Sequence, residues 1–217
     1  MRYKFIDPHK YTDEQVDELL ATLPEWRREQ ALRFKHRQGR KECVLSYWLL
    51  SEMLGYMPDF AAPLNPPFRG KPYLAQPISL PLQGGEGGGT FFNLTHCKNA
   101  IGCVVSEEGE VGIDAECLGR YKPSLAEYCM SEEELRQINE SDDPDAEFTL
   151  LWTRKEALLK LTGEGITDDM KTCLTSPRAE GVTIESGIDK ENGYAWSVAQ
   201  YSAQFTVHSS QFTVQSS

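Results

Sequence analysis

The chain has 217 residues, 40% hydrophobic and 25% charged, enough to bury a substantial core as one domain or as two closely packed halves, which excludes a disordered tail. A formal net charge of −11 argues against general nucleic-acid binding. No run approaches the ~18 apolar residues of a membrane span, and the start Met-Arg-Tyr-Lys-Phe lacks the apolar core of a secretory signal, so the expectation is a cytoplasmic protein with no membrane partner.

The first sixty residues read as mainly helical. Thr12 with Gln15 three places on is a capping-box start, and Pro24 opens the next helix. Between Arg27 and Lys41 seven basic side chains (Arg27, Arg28, Arg33, Lys35, Arg37, Arg40, Lys41) face one acid, Glu29. Such a run is either the wet side of a helix or a local anion trap. Residues 43–54 form an apolar helix, with Leu45, Trp48, Leu49 and Met53 directed to the core and Gly55 as its stop. Proline then punctuates an extended stretch over 57–81, where Lys71 lies beside Gly70 and Pro72 in a rigid loop. The glycine-rich segment 83–90 is not a phosphate loop, since no G-K-[ST] follows and no helix opens after it.

Residues 91–94 and 101–105 are short apolar strands, and Glu108-Gly109 predicts a hairpin from the second into Val111-Gly-Ile-Asp-Ala-Glu116, placing that strand inside a sheet. Ser131 caps a helix, 141–145 is a loop, and a helix runs from about Ala146 to Thr162 with Gly163 at its end. The tail repeats Gln204-Phe-Thr-Val as Gln211-Phe-Thr-Val. Its first copy is expected to close a hairpin with 196–201, and its second to fray. Six cysteines (43, 97, 103, 117, 129, 173) form no C-x-x-C pair, which reads as reduced thiols.

Chemistry concentrates in two acidic signatures. On a strand of period two, Asp114 and Glu116 project from one face while Val111 and Ile113 enter a core. On the later helix Glu156 and Lys160 stand four apart beside an apolar stripe of Leu151, Leu158 and Leu161. Three oxygen ligands on two rigid elements suit Mg²⁺. Either signature alone is more often a solvated face or exposed ion-pair decoration. From 106 to 148 fourteen acids face Arg120, Lys122 and Arg136, so a basic region and an acidic one divide the chain.

With Gly70-Lys-Pro72 and Phe92-Asn-Leu-Thr-His96 upstream, and Trp152-Thr-Arg-Lys-Glu-Ala-Leu-Leu-Lys160 downstream, this ordered set resembles the 4′-phosphopantetheinyl transferase superfamily, Sfp type. The resemblance implies an α+β fold of two similar halves related by a pseudo-twofold, each a small antiparallel sheet against helices, divided as 1–105 and 106–217, in a pseudodimeric monomer. It implies Mg²⁺, with Mn²⁺ as a substitute, on Asp114, Glu116 and Glu156, and coenzyme A as co-substrate. Glu156, directly or through a metal-bound water, is the implied base toward the serine of an apo acyl, peptidyl or aryl carrier protein, and Lys160 the cation on the diphosphate. Lys71, Pro72, Thr95, His96 and Arg37 are the implied contacts to coenzyme A, together with Asp114 through the metal. Thr95 departs from the common serine but keeps the hydroxyl. The acid usual near Gln38 or Gly39 is missing, which leaves the register of Arg33, Arg37 and Arg40 open. Two rival readings are a Mg²⁺-dependent nucleotide diphosphate hydrolase and a noncatalytic module binding coenzyme A or a carrier.

Overall fold

The structure, a computed structural model, describes residues 1–59, 74, 89–165 and 169–202. Lys71 and Pro72, most of the proline-punctuated stretch, the core of the glycine-rich segment and the duplicated tail lie outside the described residues.

Strand β1 (Arg2–Ile6) precedes helices α1 (Asp13–Thr22), α2 (Glu25–Leu32) and α3 (Arg37–Leu54), then β2 (Phe91–Cys97) and β3 (Ala100–Ser106). The second set repeats this order: β4 (Val111–Cys117), α4 (Pro123–Cys129), α5 (Glu132–Glu140), α6 (Pro144–Thr162), β5 (Val182–Asp189) and β6 (Tyr194–Tyr201). Among the described residues the strands form two three-stranded antiparallel sheets, ordered β1-β3-β2 and β4-β6-β5. In each, the last two strands are a hairpin and the first strand lies on the far side of the last. The α+β fold of two similar halves is therefore present.

Local chemistry sets these elements. At α1 the Gln15 backbone N–H donates to Thr12 Oγ1, and the Thr12 N–H donates back to Gln15 Oε1 at 2.9 Å. Ser131 and Glu134 close the same reciprocal cap on α5. Helices α3 and α6 both stop at a left-handed glycine, Gly55 (φ 79°) and Gly163 (φ 75°), a conformation that costs glycine little. α3 begins six residues ahead of the expected start, and α6 two.

Three of the four core clusters among the described residues frame the site. Leu45 and Leu49 of α3 bury against Phe92, Ile101, Cys103 and Val105, with Trp48 and Met53 half-buried beside them. Leu151, Leu158 and Leu161 of α6 bury against Ala199, Met130 and Ile138. Between the halves, Val104 meets Val111, Ile113 and Val198, flanked by Tyr3, Phe5 and Trp196.

The first sixty residues are mainly helical as expected, and ahead of the helices the opening residues are strand: Arg2-Tyr-Lys-Phe-Ile alternates polar and apolar, and Tyr3 and Phe5 enter the seam between the halves. One expectation is corrected: residues 108–109 do not make a hairpin. β3 has both edges occupied, by β1 and β2, so β4 cannot add to it and pairs instead with β6, from Val111 opposite Gln200 to Cys117 opposite Tyr194. β4 is thus an edge strand, and that edge is what the first half reaches.

Candidate active site

On β4, Gly112, Asp114 and Glu116 face α6, opposite Ala199, Ser197 and Ala195 of β6. Gly112 makes the approach possible. A Cβ there would lie 2.6 Å from the Leu161 nitrogen and nearer still to the Ala157 carbonyl oxygen, so strand and helix backbones are in direct contact. That contact lays Glu156 and Lys160 of α6 alongside Asp114.

Asp114 is buried. Its Oδ1 accepts from Lys160 Nζ at 2.7 Å and from Thr95 Oγ1 at 3.2 Å. Thr95 comes from β2 of the other half, and its hydroxyl also accepts from the Ala115 N–H at 3.1 Å and from Lys160 Nζ at 3.3 Å. One threonine hydroxyl therefore ties the two halves together at the acidic strand. Thr95→Val leaves the buried Ala115 N–H without this acceptor and is expected to destabilise by about 1–2 kcal/mol in urea titrations, with Thr95→Ser near wild type; equal stability of Thr95→Val and wild type would remove the hydroxyl's role.

Two carboxylate oxygens at this junction, Asp114 Oδ2 and Glu156 Oε1, are buried without a hydrogen-bond partner. Acceptor-only oxygens in that state are costly unless a cation joins them. Burial first, then the Asp114 charge, pushes the Glu156 carboxyl up to about 7, with Glu116 adding to the rise and Lys160 and Arg120 opposing it. Glu116 itself is turned into an ion pair with Arg120. Among the described residues no three His, Cys, Asp or Glu side chains close around one point as they stand. The donor set is nevertheless all carboxylate oxygen, the chemistry of a hard divalent cation, and its two orphaned buried oxygens fit one.

The structure thus gathers Thr95, Asp114, Glu156 and Lys160, with Glu116 at the margin. His96 is not among them. Being adjacent to Thr95 it leaves the opposite face of β2, exposed, with Nε2 3.5 Å from Glu42 Oε2 on α3. Arg37 is exposed and paired with Asp13 at 3.0 Å and Asp17 at 3.6 Å on α1. Two more members of the basic run are committed to structure as well. Arg27 is buried and donates to the Cys43 carbonyl at 2.9 Å, and Lys41 donates to the Tyr11 carbonyl at 2.6 Å. Arg28, Arg33 and Lys35 remain exposed.

Two further residues shape the site, Arg120, which sequence did not single out, and Lys155, which it marked only as part of the helix motif. Arg120 pairs with Glu116 outside any helix, where a spacing of four carries no expectation. Lys155, next to Glu156, is fully buried and donates to Glu134 Oε2 (2.7 Å), the Cys129 carbonyl (2.8 Å) and the Met170 carbonyl (2.7 Å). All three of its protons are used, so it pins α4 and α5 to α6 from the side away from Asp114.

Among the described residues the first half has no such site. Register places Arg2 opposite Val105 as Gly112 is opposite Ala199, so Lys4 stands where Asp114 does and Ile6 where Glu116 does. Counting back from the terminal glycines, Trp48 and Glu52 replace Glu156 and Lys160.

Residues 110–212 match the family model described as the 4′-phosphopantetheinyl transferase superfamily. The chain is 30% identical over 166 residues to the 4′-phosphopantetheinyl transferase HetI of Nostoc sp., covering 73% of this chain and 67% of that one. It is 27% identical over 165 residues to the 4′-phosphopantetheinyl transferase psf-1 of Bacillus pumilus, covering 72% and 65%. It is 35% identical over 101 residues to the 4′-phosphopantetheinyl transferase AcpT of Salmonella typhi, covering 43% and 50%, so the match spans half of that relative. The repeated β-helix-hairpin halves, the site where they meet and these matches agree: the chain belongs to the 4′-phosphopantetheinyl transferase superfamily of enzymes.

Proposed function

We propose that this enzyme transfers the 4′-phosphopantetheine arm of coenzyme A to a serine of an apo acyl, peptidyl or aryl carrier protein, releasing adenosine 3′,5′-bisphosphate. The observation that carries the reading is Glu156, a carboxyl poised at about 7 that feels the charges of Asp114 and Lys160 and, like Asp114, keeps one buried oxygen without a hydrogen-bond partner. Asp114, Glu116 and Glu156 would hold Mg²⁺, or Mn²⁺ in its place, and the ion's chemistry there is neutralisation of the diphosphate.

The residues divide the remaining work. Glu156 accepts the serine proton as the serine oxygen bonds to the β-phosphorus and the bond from that phosphorus to the adenosine bisphosphate breaks. Lys160, released from Asp114, turns its ammonium to the charge building on the diphosphate. Thr95 fixes the Asp114 carboxylate against β2, so the strand carrying two of the ligands keeps its place. His96, exposed at the rim of β2, joins Lys71, Pro72 and Arg37 in our reading as contacts to the 3′-phosphate end, and Arg37 would leave Asp13 and Asp17 to do so. The half 1–105 then holds the nucleotide end and the half 106–217 the reacting diphosphate.

No helix among the described residues is long and apolar enough to cross a membrane, and we place the reaction in the cytoplasm, in a monomer whose second half takes the place of a second subunit. The test is the intact mass of a purified apo carrier after incubation with the protein, coenzyme A and Mg²⁺, beside Asp114→Ala and Glu156→Ala. A gain of one phosphopantetheine arm, lost with chelator and in both variants, is the expected result. Consumption of coenzyme A without acceptor would make the protein a hydrolase instead. Retained coenzyme A binding with no transfer to fatty-acid, polyketide or peptide carriers would make it a binding module.

A further inference from the structure

Glu116 faces the site from β4 on the same side as Asp114, yet its carboxylate is already engaged by Arg120. Arg120 is held a second way, its guanidinium carbon 6.0 Å from the centre of the Trp152 ring, one helical turn before Glu156. The charges of Glu116 and Arg120 both reach Glu156, with opposite sign. One of the three carboxylates proposed as ligands is therefore paired within the chain itself.

We propose that Arg120 is a positioning residue that competes with the divalent cation for Glu116. In the metal-free protein the guanidinium holds Glu116; when the cation takes that carboxylate the pair opens, and Arg120 stays on the Trp152 face. The inference rests on Asp114, Glu116 and Glu156 being the ligands. Three acids brought together without a cation repel one another, and Arg120 offsets part of that cost. The arginine side chain is 45% exposed, so the pair is weak enough to exchange. A guanidinium is weakly hydrated and stacks on aromatic faces, which gives it a place to remain. A lysine would not keep that stacked position.

The experiment is Mn²⁺ titration of the whole protein, read by the loss of the free-ion electron paramagnetic resonance signal, without coenzyme A or carrier. Arg120→Gln is expected to bind Mn²⁺ about fivefold more tightly than wild type, the scale set by one partly exposed ion pair. In a Glu116→Ala background the same substitution is expected to change nothing, since the contested carboxylate is gone. Equal or weaker binding by Arg120→Gln, with wild type binding Mn²⁺ and Asp114→Ala not, would overturn the role of Arg120 and leave the metal site standing. Absence of Mn²⁺ binding in wild type and in Arg120→Gln alike would overturn both.

Discussion

Glu156→Gln is expected to slow transfer to the carrier serine by about 10³-fold and, in chelator at pH 8, to make the protein more stable than wild type. The two effects share one cause. The carboxyl is lifted from 4.5 to about 7, chiefly by burial and then by the Asp114 charge, so the fold prefers the protonated form. Below pH 4.5 the group is protonated in both folded and unfolded chains and the fold incurs no penalty. Between 4.5 and 7 the unfolded chain releases the proton while the folded one retains it, so stability falls as pH rises. Above 7 the folded protein carries the full penalty. Solvent reaches part of this side chain, which reduces the penalty to about 1–2 kcal/mol. Glutamine has the same shape and never ionises, so its advantage should be absent near pH 4 and reach a plateau above pH 7. Urea titrations of both proteins in EDTA at several pH values, beside the carrier mass assay, measure this. A stability difference that does not change with pH would show that Glu156 is not held protonated by its surroundings, and a variant with full transfer would remove it as the base.

The acidic strand and the helix answering it were legible because period and chemistry coincide. Alternation puts Asp114 and Glu116 on one side of β4, and a spacing of four puts Glu156 and Lys160 on one side of α6. The capping boxes at Thr12 and Ser131 and the glycine stops at 55 and 163 are equally local, and were equally readable. Strand partnership is not local. Nothing within Val111-Gly-Ile-Asp-Ala-Glu116 says that it pairs with Tyr194–Tyr201 rather than with the strand just before it; that follows from β3 having both edges filled. Period two also held a warning that the motif concealed. Thr95 and His96 are adjacent on a strand and must part, so only one of them can meet Asp114. Lys155 and Lys160 divide a helix in the same manner, one buried among carbonyls behind the site and the other in it. Arg120 carried no signal at all, since its partner is met through loop geometry.

Gly112→Ala is expected to cost about 3 kcal/mol or more and to abolish transfer, although glycine and alanine differ by one methyl group and neither reacts. The position is fully enclosed: the added carbon would press on the Ala157 carbonyl and lie 2.6 Å from the Leu161 nitrogen. Both are helix backbone, without a rotamer that could yield. α6 would have to retreat from β4, and the retreat would withdraw Leu158 and Leu161 from a closely packed core. It would also lengthen the Lys160–Asp114 contact, now 2.7 Å, and part Glu156 from the carboxylates it acts with. A displacement near 1 Å at reacting groups suffices for about a 10²-fold loss of rate. Gly193→Ala, at a hairpin turn where the nearest neighbour is the Asn99 side-chain amide 3.5 Å away, supplies the control. Its backbone φ of 69° makes it cost about 1 kcal/mol for conformation alone, while transfer should persist. Urea midpoints and carrier masses for the two variants decide the matter. Were Gly112→Ala to fold with unchanged stability and transfer normally, the direct backbone contact of β4 with α6 would not be what aligns Asp114 with Glu156 and Lys160.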